Sequence, residues 1–333
     1  MSILVTGASG FVGSAVVRKL LNKGESVAVL VRPNSNHANL DGLNLSIREG
    51  DLTDEKSLGD ALSGCDGLFH VAADYRLWTK NPQALYQANV EGTKNLMLAA
   101  HNAGVERIVY TSSVATLGVF SDGQISNENT PVSINDMVGH YKRSKFLAER
   151  AVDELVEEKK LPIVIVNPST PIGPRDIKPT PTGRVIYDAY RQKIPAFVDT
   201  GLNVAHVDDV AEGHLLAFSN GKIGRRYILG GEDLHFREIL RTVALYCNYK
   251  PPSIRLPRAV VYPIAWLSEL MAYLTNGAEP RATLDGLKMS RKKMFFSSQR
   301  AIDELGYRFR PAEQAIHEAV DWFKENESQL SQN

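Results

Sequence analysis

The chain has 333 residues, and its 38 basic and 38 acidic side chains give a formal net charge of zero. The length provides core for one large domain or two ordinary ones, and the 43% of apolar residues is typical of a globular protein. Zero net charge argues against a nonspecific nucleic-acid binder, which needs a basic surface. The two cysteines, Cys65 and Cys247, favour neither a disulfide framework nor a thiolate zinc site and predict a reducing compartment, here the cytoplasm.

No targeting signal is expected, because no basic region or cleavage site precedes the first apolar run. The most apolar stretch, residues 259–274, contains Pro263, Ser268 and Glu269 and is too short to span a bilayer. It predicts a buried or half-buried helix, with an apolar substrate wall or a membrane-touching surface as the alternative. We therefore expect no transmembrane segment and leave peripheral membrane contact open.

Short apolar runs alternate with helical patterns in the first half of the chain. Strands are predicted over 3–5, 27–31, 45–48, 67–71, 107–111 and 163–166, and helices over 11–22, 54–62, 82–103 and 139–159. Such alternation is typical of a parallel sheet covered on both faces. Right-handed crossovers then give a doubly wound α/β fold.

The pattern changes after residue 167. Five of the sixteen prolines lie within 168–181, which predicts irregular chain because proline lacks a backbone donor. A loop feeding a helix is predicted over 206–216, a strand over 226–229, and mostly helical chain over 235–330.

A glycine-rich loop connects the first strand to the first helix. Gly7 allows the tight turn, Gly10 lets the backbone approach a pyrophosphate, and Gly13 lets helix and strand pack closely. The pyrophosphate would lie at the helix N-terminus, where free N–H groups point outward. This context predicts a dinucleotide site, with cofactor contacts from Gly7, Ser9, Gly10, Phe11, Val12 and Gly13.

The dinucleotide site and the change of pattern predict two lobes. A Rossmann domain is expected over residues 1–167, with later segments near 203–230 returning to it. A smaller, mostly helical substrate lobe is expected over 168–333.

The end of the second strand bears on cofactor choice. It carries no acidic residue for a ribose 2′-hydroxyl, and Arg32 stands where a 2′-phosphate would lie. NADP(H) is therefore favoured over NAD(H), with a solvated surface arginine as the alternative. Further cofactor contacts are predicted after strands three, four and six, at Asp51, Leu52, Ala72, Ala73, Pro168, Ser169 and Thr170.

A Y-x-x-x-K pattern, Tyr141 to Lys145, places both side chains on one face of a helix. A nearby ammonium favours the phenolate and is expected to lower the pKa of Tyr141. Ser113 lies at the end of strand five, at the carboxyl edge where such sheets bind ligands. Ser113, Tyr141 and Lys145 are therefore the predicted catalytic set. No metal is expected, since the eight histidines do not have metal-ligand spacings.

Together these motifs resemble the extended short-chain dehydrogenase/reductase superfamily over nearly the whole chain. The resemblance implies that Tyr141 is the general acid/base, that Lys145 holds the nicotinamide ribose, and that Ser113 hydrogen-bonds the substrate oxygen. For Asn89 it implies a structural role. It also implies that the helices over 82–103 and 139–159 form a homodimer interface, with a monomer as the alternative.

Details separate the branches of the superfamily. The acidic pair of the sugar-nucleotide dehydratases is missing after Ser113, and the arginine of the sugar-nucleotide epimerases is missing before His206. Arg175, Lys178 or Arg184 could replace that arginine. Residues 168–174 are similar to the dihydroflavonol-4-reductase group. The strings 70–78, 139–146, 174–181 and 292–296 resemble a bacterial hopanoid-associated sugar epimerase family.

We therefore expect an NADP(H)-dependent oxidoreductase that reduces a carbonyl, or oxidises the alcohol, of a largely apolar or lipid-linked substrate. The alternatives are an NAD(P)-dependent sugar epimerase of hopanoid metabolism and a non-catalytic NADP-binding protein of a lipid pathway. Candidate substrate-lining side chains are Tyr75, Leu77, Trp78, Tyr187, Trp266, Met271 and Tyr273.

Overall fold

The computed structural model describes residues 1–33, 35–275, 280 and 283–330. The strands are β1 (Ser2–Thr6), β2 (Ser26–Val31), β3 (Ser46–Glu49), β4 (Gly67–His70), β5 (Arg107–Thr111), β6 (Ile163–Pro168), β7 (Thr170–Ile172), β8 (Ala196–Phe197), β9 (Gly201–His206), β10 (Arg226–Leu229), β11 (Glu232–His235) and β12 (Ile254–Arg255).

The helices are α1 (Phe11–Asn22), α2 (Glu55–Leu62), α3 (Pro82–Tyr86), α4 (Gly92–Asn102), α5 (Gly139–Lys159), α6 (Pro181–Tyr190), α7 (Val207–Asn220), α8 (Phe236–Tyr246), α9 (Arg258–Thr275), α10 (Leu284–Met289), α11 (Gln299–Leu305), α12 (Ala312–Glu325) and α13 (Glu327–Leu330). Among them, α1 and α5 have the bounds that the sequence predicts.

A seven-stranded parallel sheet in the order β10-β6-β5-β4-β1-β2-β3 forms the centre. One face is covered by α1 and α7, and the other by α2, α4 and α5, with an apolar core on each side. The predicted doubly wound α/β fold is confirmed. Because β1 lies between β2 and β4, the strand order reverses there, and the carboxyl ends of these strands border a crevice suited to a ligand.

The helix predicted over 82–103 is interrupted. A π-helical turn, Gln87–Glu91, separates α3 from α4. Such turns are rare and frequent at functional sites. Its buried Asn89 bonds to chain outside the helix, a tertiary contact that helical periodicity does not reveal.

The later chain builds a third core, in which α6, α8 and α12 pack together. Beside it lie a three-stranded sheet, β11-β9-β7, and a two-stranded sheet, β12-β8. The prediction of irregular chain over 168–181 is therefore wrong in part. Pro168 ends β6, and Pro171 is tolerated because β7 is an edge strand. The prediction that 206–216 begins as a loop is also wrong, since β9 leads directly into α7.

The apolar stretch 259–274 lies in α9, but the expected burial is wrong for most of it. Ala265 and Ala272 are its buried residues, whereas most of its large apolar side chains are exposed and Val261 and Tyr262 are half-buried. The spacing of apolar residues predicts that a helix has an apolar face, but it does not predict whether another element covers that face. Within the described ranges, no helix combines the length and the apolarity needed to cross a bilayer.

Candidate active site

The glycine loop connects β1 to α1. Gly7 has a φ of +68°, and a Cβ there would lie 2.6 Å from the backbone nitrogen of Ala72. A Cβ on Gly13 would lie 2.0 Å from the carbonyl oxygen of Gly7. These two positions therefore accept only glycine, for conformation at the first and for close packing at both.

Gly10 is exposed and caps α1 without a side-chain partner, and the first turn holds no acidic residue. The first helical bond runs from the Ser14 N–H to the Gly10 carbonyl, so the N–H groups of Phe11, Val12 and Gly13 have no acceptor within the helix. An uncapped helix end of this kind attracts a phosphate group. The loop therefore fits the pyrophosphate of a dinucleotide.

Gly13→Ala is expected to destabilise the protein by about 3 kcal/mol and to weaken dinucleotide binding, because the new methyl group collides with backbone that cannot move aside. Gly59→Ala is the matched control. Its Cβ would meet nothing within 4 Å on α2, so we expect a stabilisation of up to about 1 kcal/mol. Urea unfolding and NADPH titration measure both effects. Equal unfolding free energies for the two variants would contradict the packing role of Gly13.

The predicted adenosine contacts lie at the ends of β2 and β3. Arg32 is exposed and follows β2 directly. Asp51, after β3, accepts hydrogen bonds from the Thr53 hydroxyl and N–H at 2.6 and 2.9 Å. The Thr53 bonds lower the pKa of Asp51 below its usual range, with the Arg32 charge as a further contribution. Asp74, which sequence analysis did not select, also lies within the field of Arg32.

The remaining predicted contacts lie along the same edge. Ala72 follows β4 and donates its N–H to the Thr6 hydroxyl at 3.3 Å; Ala73 is half-buried beside it, and Leu52 packs near Gly92 of α4. The Ser169 hydroxyl is buried and has no protein partner within the described residues, and Thr170 is buried beside it. An unpaired hydroxyl at this edge is available to a bound ligand, which also fits a cofactor.

Ser113 and Tyr141 come together at the carboxyl edge of β5. Ser113 caps a short 3₁₀ turn, and its hydroxyl accepts the Ala115 N–H at 3.1 Å. Tyr141 lies in the first turn of α5. Burial raises the pKa of the Tyr141 phenol, and the neighbouring Ser113 hydroxyl opposes that rise. The two hydroxyls thus lie where both could donate to one substrate oxygen.

Lys145 lies one turn further along α5 and is buried. Its Nζ donates to the Thr111 carbonyl at 2.9 Å and to the Tyr110 hydroxyl at 3.3 Å. Burial lowers the pKa of Lys145 to about 8, and Glu149 opposes that shift. The expectation that Lys145 lowers the Tyr141 pKa differs from the structure, where burial of the phenol dominates and the pKa rises. The physical reason is the burial of the phenol, while the Lys145 ammonium bonds the Thr111 carbonyl at the end of β5.

A buried polar cluster supports the Ser113 backbone, and sequence analysis missed it. The Asn167 amide donates to the Ser113 carbonyl at 3.1 Å and to a carboxylate oxygen of Glu149 at 2.9 Å. The Thr116 hydroxyl bonds the same two residues, both at 2.8 Å. Arg226 of β10 forms an ion pair with Glu149 at 3.3 Å. The spacing of Tyr141, Lys145 and Glu149, four residues apart on α5, is the signal that could have revealed it.

Asn89 fixes the start of α5 from the other side. Its amide donates to the Asp74 carbonyl at 2.9 Å and to the Ser144 hydroxyl at 3.0 Å, and its carbonyl oxygen accepts the Asp74 N–H at 2.7 Å. Ser144 in turn donates to the Tyr141 carbonyl at 2.8 Å. Asn89 thus links the chain after β4 to the helix that carries Tyr141.

His70 is a further buried link. Its ring nitrogens lie 2.7 Å from the Thr6 hydroxyl and 3.0 Å from the Thr93 hydroxyl. Burial lowers the pKa of His70 to about 3, and the neighbouring Lys145 adds to that effect. The imidazole is therefore neutral. The described residues hold no cluster of histidine, cysteine or carboxylate groups suited to a metal ion.

The predicted substrate-lining residues separate into three groups. Tyr75, Leu77 and Trp78 follow the carboxyl end of β4 and are half-buried or exposed. Tyr187 belongs to the core of the later lobe and packs on Phe323. The candidates on α9 lie on its exposed face; they are Trp266, Met271 and Tyr273.

The fold, the uncapped glycine loop and the hydroxyl pair beside it are the arrangement of an NAD(P)-dependent oxidoreductase. A model of the NAD dependent epimerase/dehydratase family matches residues 3–230, and the chain belongs to that family. The resemblance to extended short-chain dehydrogenases/reductases is thereby confirmed. Members of the family bind NAD(P) and are enzymes, so the non-catalytic alternative is set aside.

Three proteins of known name are similar over nearly their whole length. A putative dihydroflavonol 4-reductase from Synechocystis is 45% identical and covers 96% of this chain and 94% of its own. Sterol demethylase protein B from Methylococcus capsulatus is 35% identical, with coverage of 98% and 99%. The crystal structure of gox2253 is 53% identical, covers 98% of each chain and has a TM-score of 0.88.

Proposed function

We propose that the protein is an NADP(H)-dependent enzyme that reduces a carbonyl, or oxidises the corresponding alcohol, on a largely apolar or lipid-linked substrate. The observation that carries the proposal is the placement of Ser113, just after β5, and of Tyr141, in the first turn of α5, at the carboxyl edge of the sheet that also carries the glycine loop. Two neighbouring hydroxyls can stabilise the negative charge that develops on a carbonyl oxygen during reduction.

Each residue then has a defined task. When bound, the reduced nicotinamide supplies the hydride. Ser113 donates a hydrogen bond to the substrate oxygen, and Tyr141 donates its phenolic proton to the same atom. Lys145 fixes the end of β5 through the Thr111 carbonyl and presents positive charge near the reacting groups. The N-terminus of α1 and the glycine loop hold the pyrophosphate.

An apolar substrate is supported by the chain after the carboxyl end of β4, which carries Tyr75, Leu77 and Trp78. The names of two relatives also favour an apolar substrate, since one is a putative dihydroflavonol 4-reductase and the other a sterol demethylase protein. NADPH absorbance, followed across a panel of steroid and aromatic ketones and aldehydes, tests the proposal. No consumption with any of them would contradict it.

Arg32→Gln is expected to lower kcat/KM with NADPH between about tenfold and a hundredfold and to leave the value with NADH unchanged. The reason is the loss of a guanidinium that would pair with the 2′-phosphate. Lys23→Gln, at the other end of α1, removes an exposed cation paired with Glu212 and serves as the control. An unchanged ratio of kcat/KM with NADPH to kcat/KM with NADH in the Arg32→Gln variant would contradict the preference for NADP(H).

A sugar epimerase is the alternative within the family. The arginines proposed to replace the missing diphosphate contact are engaged elsewhere, since Arg175 forms an ion pair with Asp208 and Arg184 lies over the ring of Tyr187. An epimerase keeps its cofactor through each turnover, whereas a reductase releases it. Purified protein that retains a dinucleotide and binds a UDP-sugar would therefore favour the epimerase.

Four further predictions accompany the proposal. The cytoplasmic location, the homodimer built on the helices over 82–103 and 139–159, and the link to hopanoids each stay predictions. So does the division into a cofactor domain over 1–167 and a substrate lobe over 168–333; β10 joins the central sheet, whereas β9 belongs to the small one.

A further inference from the structure

Helix α9 carries its large apolar side chains on the outside. Leu274 is 72% exposed, Tyr273 66% and Trp266 57%. Five further exposed positions share this surface, namely Val260, Ile264, Leu267, Leu270 and Met271. Their spacing of three and four residues forms one continuous stripe along the helix. A patch of this kind on a protein surface marks an interaction site.

The outer face of α9 bears no charge. Between residues 259 and 275 the sequence has one charged side chain, Glu269. That carboxylate turns inward and accepts the Leu284 N–H at 2.7 Å, so it bonds to the neighbouring α10 segment. A partner of this face must therefore be apolar over the whole stripe.

The surroundings of the apolar face are basic. Arg291 donates to the Tyr262 hydroxyl at 2.8 Å, and Lys80 lies 5.2 Å from the ring centre of Tyr273. The described residues between 250 and 298 include seven basic and two acidic side chains. A second copy docked through the same face would bring like charges together, whereas an anionic surface would complement them.

We propose that the outer face of α9 docks on an anionic lipid bilayer, with the helix lying in the plane of the interface. Apolar side chains enter the acyl region, Trp266 and Tyr273 lie at headgroup level, and Lys80 and Arg291 meet anionic headgroups. An exposed apolar helix bordered by aromatic and basic residues has the composition of an interfacial anchor.

The same helix is connected to the candidate active site. Lys80, on the chain that follows β4, donates to the Tyr273 carbonyl at 2.7 Å. The α10 residue Asp285 lies beside Gly139, where α5 begins two residues before Tyr141. Docking through α9 would therefore hold the site next to the bilayer from which a lipid-linked substrate comes. This second step rests on the proposed function, whereas the docking itself does not.

Vesicle binding tests the docking with the full chain and without substrate. We expect the protein to co-sediment with phosphatidylcholine vesicles that contain phosphatidylglycerol, and less with phosphatidylcholine alone or at high salt. The fluorescence of Trp266 should shift to the blue on binding, and Trp266→Phe should remove that shift. Arg291→Gln should weaken binding to the anionic vesicles alone.

Leu267→Gln combined with Met271→Gln should weaken vesicle binding at least about tenfold, because two large apolar side chains no longer leave water. Ile223→Gln is the matched control. Its side chain is 54% exposed, similar to Leu267 at 52%, but lies on the loop before β10, away from α9. Urea unfolding of each variant verifies the fold.

Two results would overturn the proposal. One is equal vesicle binding by the double variant and the control. The other is a dimer in solution that the double variant dissociates, with no binding of the wild type to anionic vesicles. Failure of the proposed function gives a different result from both. A protein that binds anionic vesicles but consumes no NADPH would support the docking proposal and contradict the reductase proposal.

Discussion

Tyr141→Phe is expected to lower kcat for carbonyl reduction about a thousandfold while leaving NADPH affinity unchanged. The substitution removes the phenolic proton that the substrate oxygen must receive and keeps the ring. Ser113 remains as a hydrogen-bond donor, so stabilisation of the developing negative charge is reduced and not abolished. Single-turnover NADPH oxidation measures the chemical step, and fluorescence titration measures the affinity.

The control for this substitution is Tyr246→Phe. It also removes one phenol that donates a hydrogen bond, to Asp321 at 2.6 Å, but it lies on α8 of the later lobe. We expect wild-type kinetics from it. A kcat for Tyr141→Phe within about tenfold of wild type would contradict the assignment of the general acid.

The pKa of Tyr141 sets the pH dependence of the two directions. Because burial raises that pKa, the phenol is protonated at neutral pH and can serve as an acid in reduction. Alcohol oxidation needs the deprotonated phenol, so its rate should rise with pH through the alkaline range. Lys145, with a pKa of about 8, loses its charge over the same range. The Tyr141→Phe variant should lose the alkaline rise in oxidation.

Much of the structure of residues 1–167 could be predicted from the sequence, because its helices and its glycine loop are determined by residues that are close together in the chain. The bounds of α1 follow from its apolar spacing and from the glycine that precedes it, and those of α5 from a long amphipathic pattern. Gly7 and Gly13 could be selected because the loop stands between a strand and a helix. The packing distances around them then explain why no other residue fits.

The rest depends on partners far along the chain. Asn203 of β9 is buried, and its amide donates hydrogen bonds to Gly231, Asp233 and Phe296. Because these partners lie far along the chain, the sequence around β9 does not predict them. The same holds for α9, whose apolar pattern reads equally as a core helix or an exposed one. The Tyr141 pKa likewise depends on enclosure and on where the Lys145 ammonium points.

Glu149→Gln is expected to lower the free energy of unfolding by about 3 kcal/mol. The carboxylate is fully buried, and it accepts bonds from Thr116 and Asn167 as well as pairing with Arg150 and Arg226. Gln keeps the shape but turns a donor toward the guanidinium. Arg226 retains its pair with Asp153 at 2.7 Å, which keeps the loss at the lower end of the range for buried pairs. Urea unfolding measures the change.

The same substitution should also alter the activity profile, because Glu149 opposes the lowering of the Lys145 pKa. Removing the negative charge lets that pKa fall further below 8, so the limb of the pH–rate profile that reports Lys145 should move to lower pH. Asp153→Asn is the control, since it breaks the outer pairs of Arg150 and Arg226 and leaves Glu149 in place. If Glu149→Gln lowers the stability of the protein but leaves the pH–rate profile unchanged, the cluster only supports the position of Ser113. A shift in both variants would instead show that the arginines shared by the two carboxylates, Arg150 and Arg226, transmit the charge.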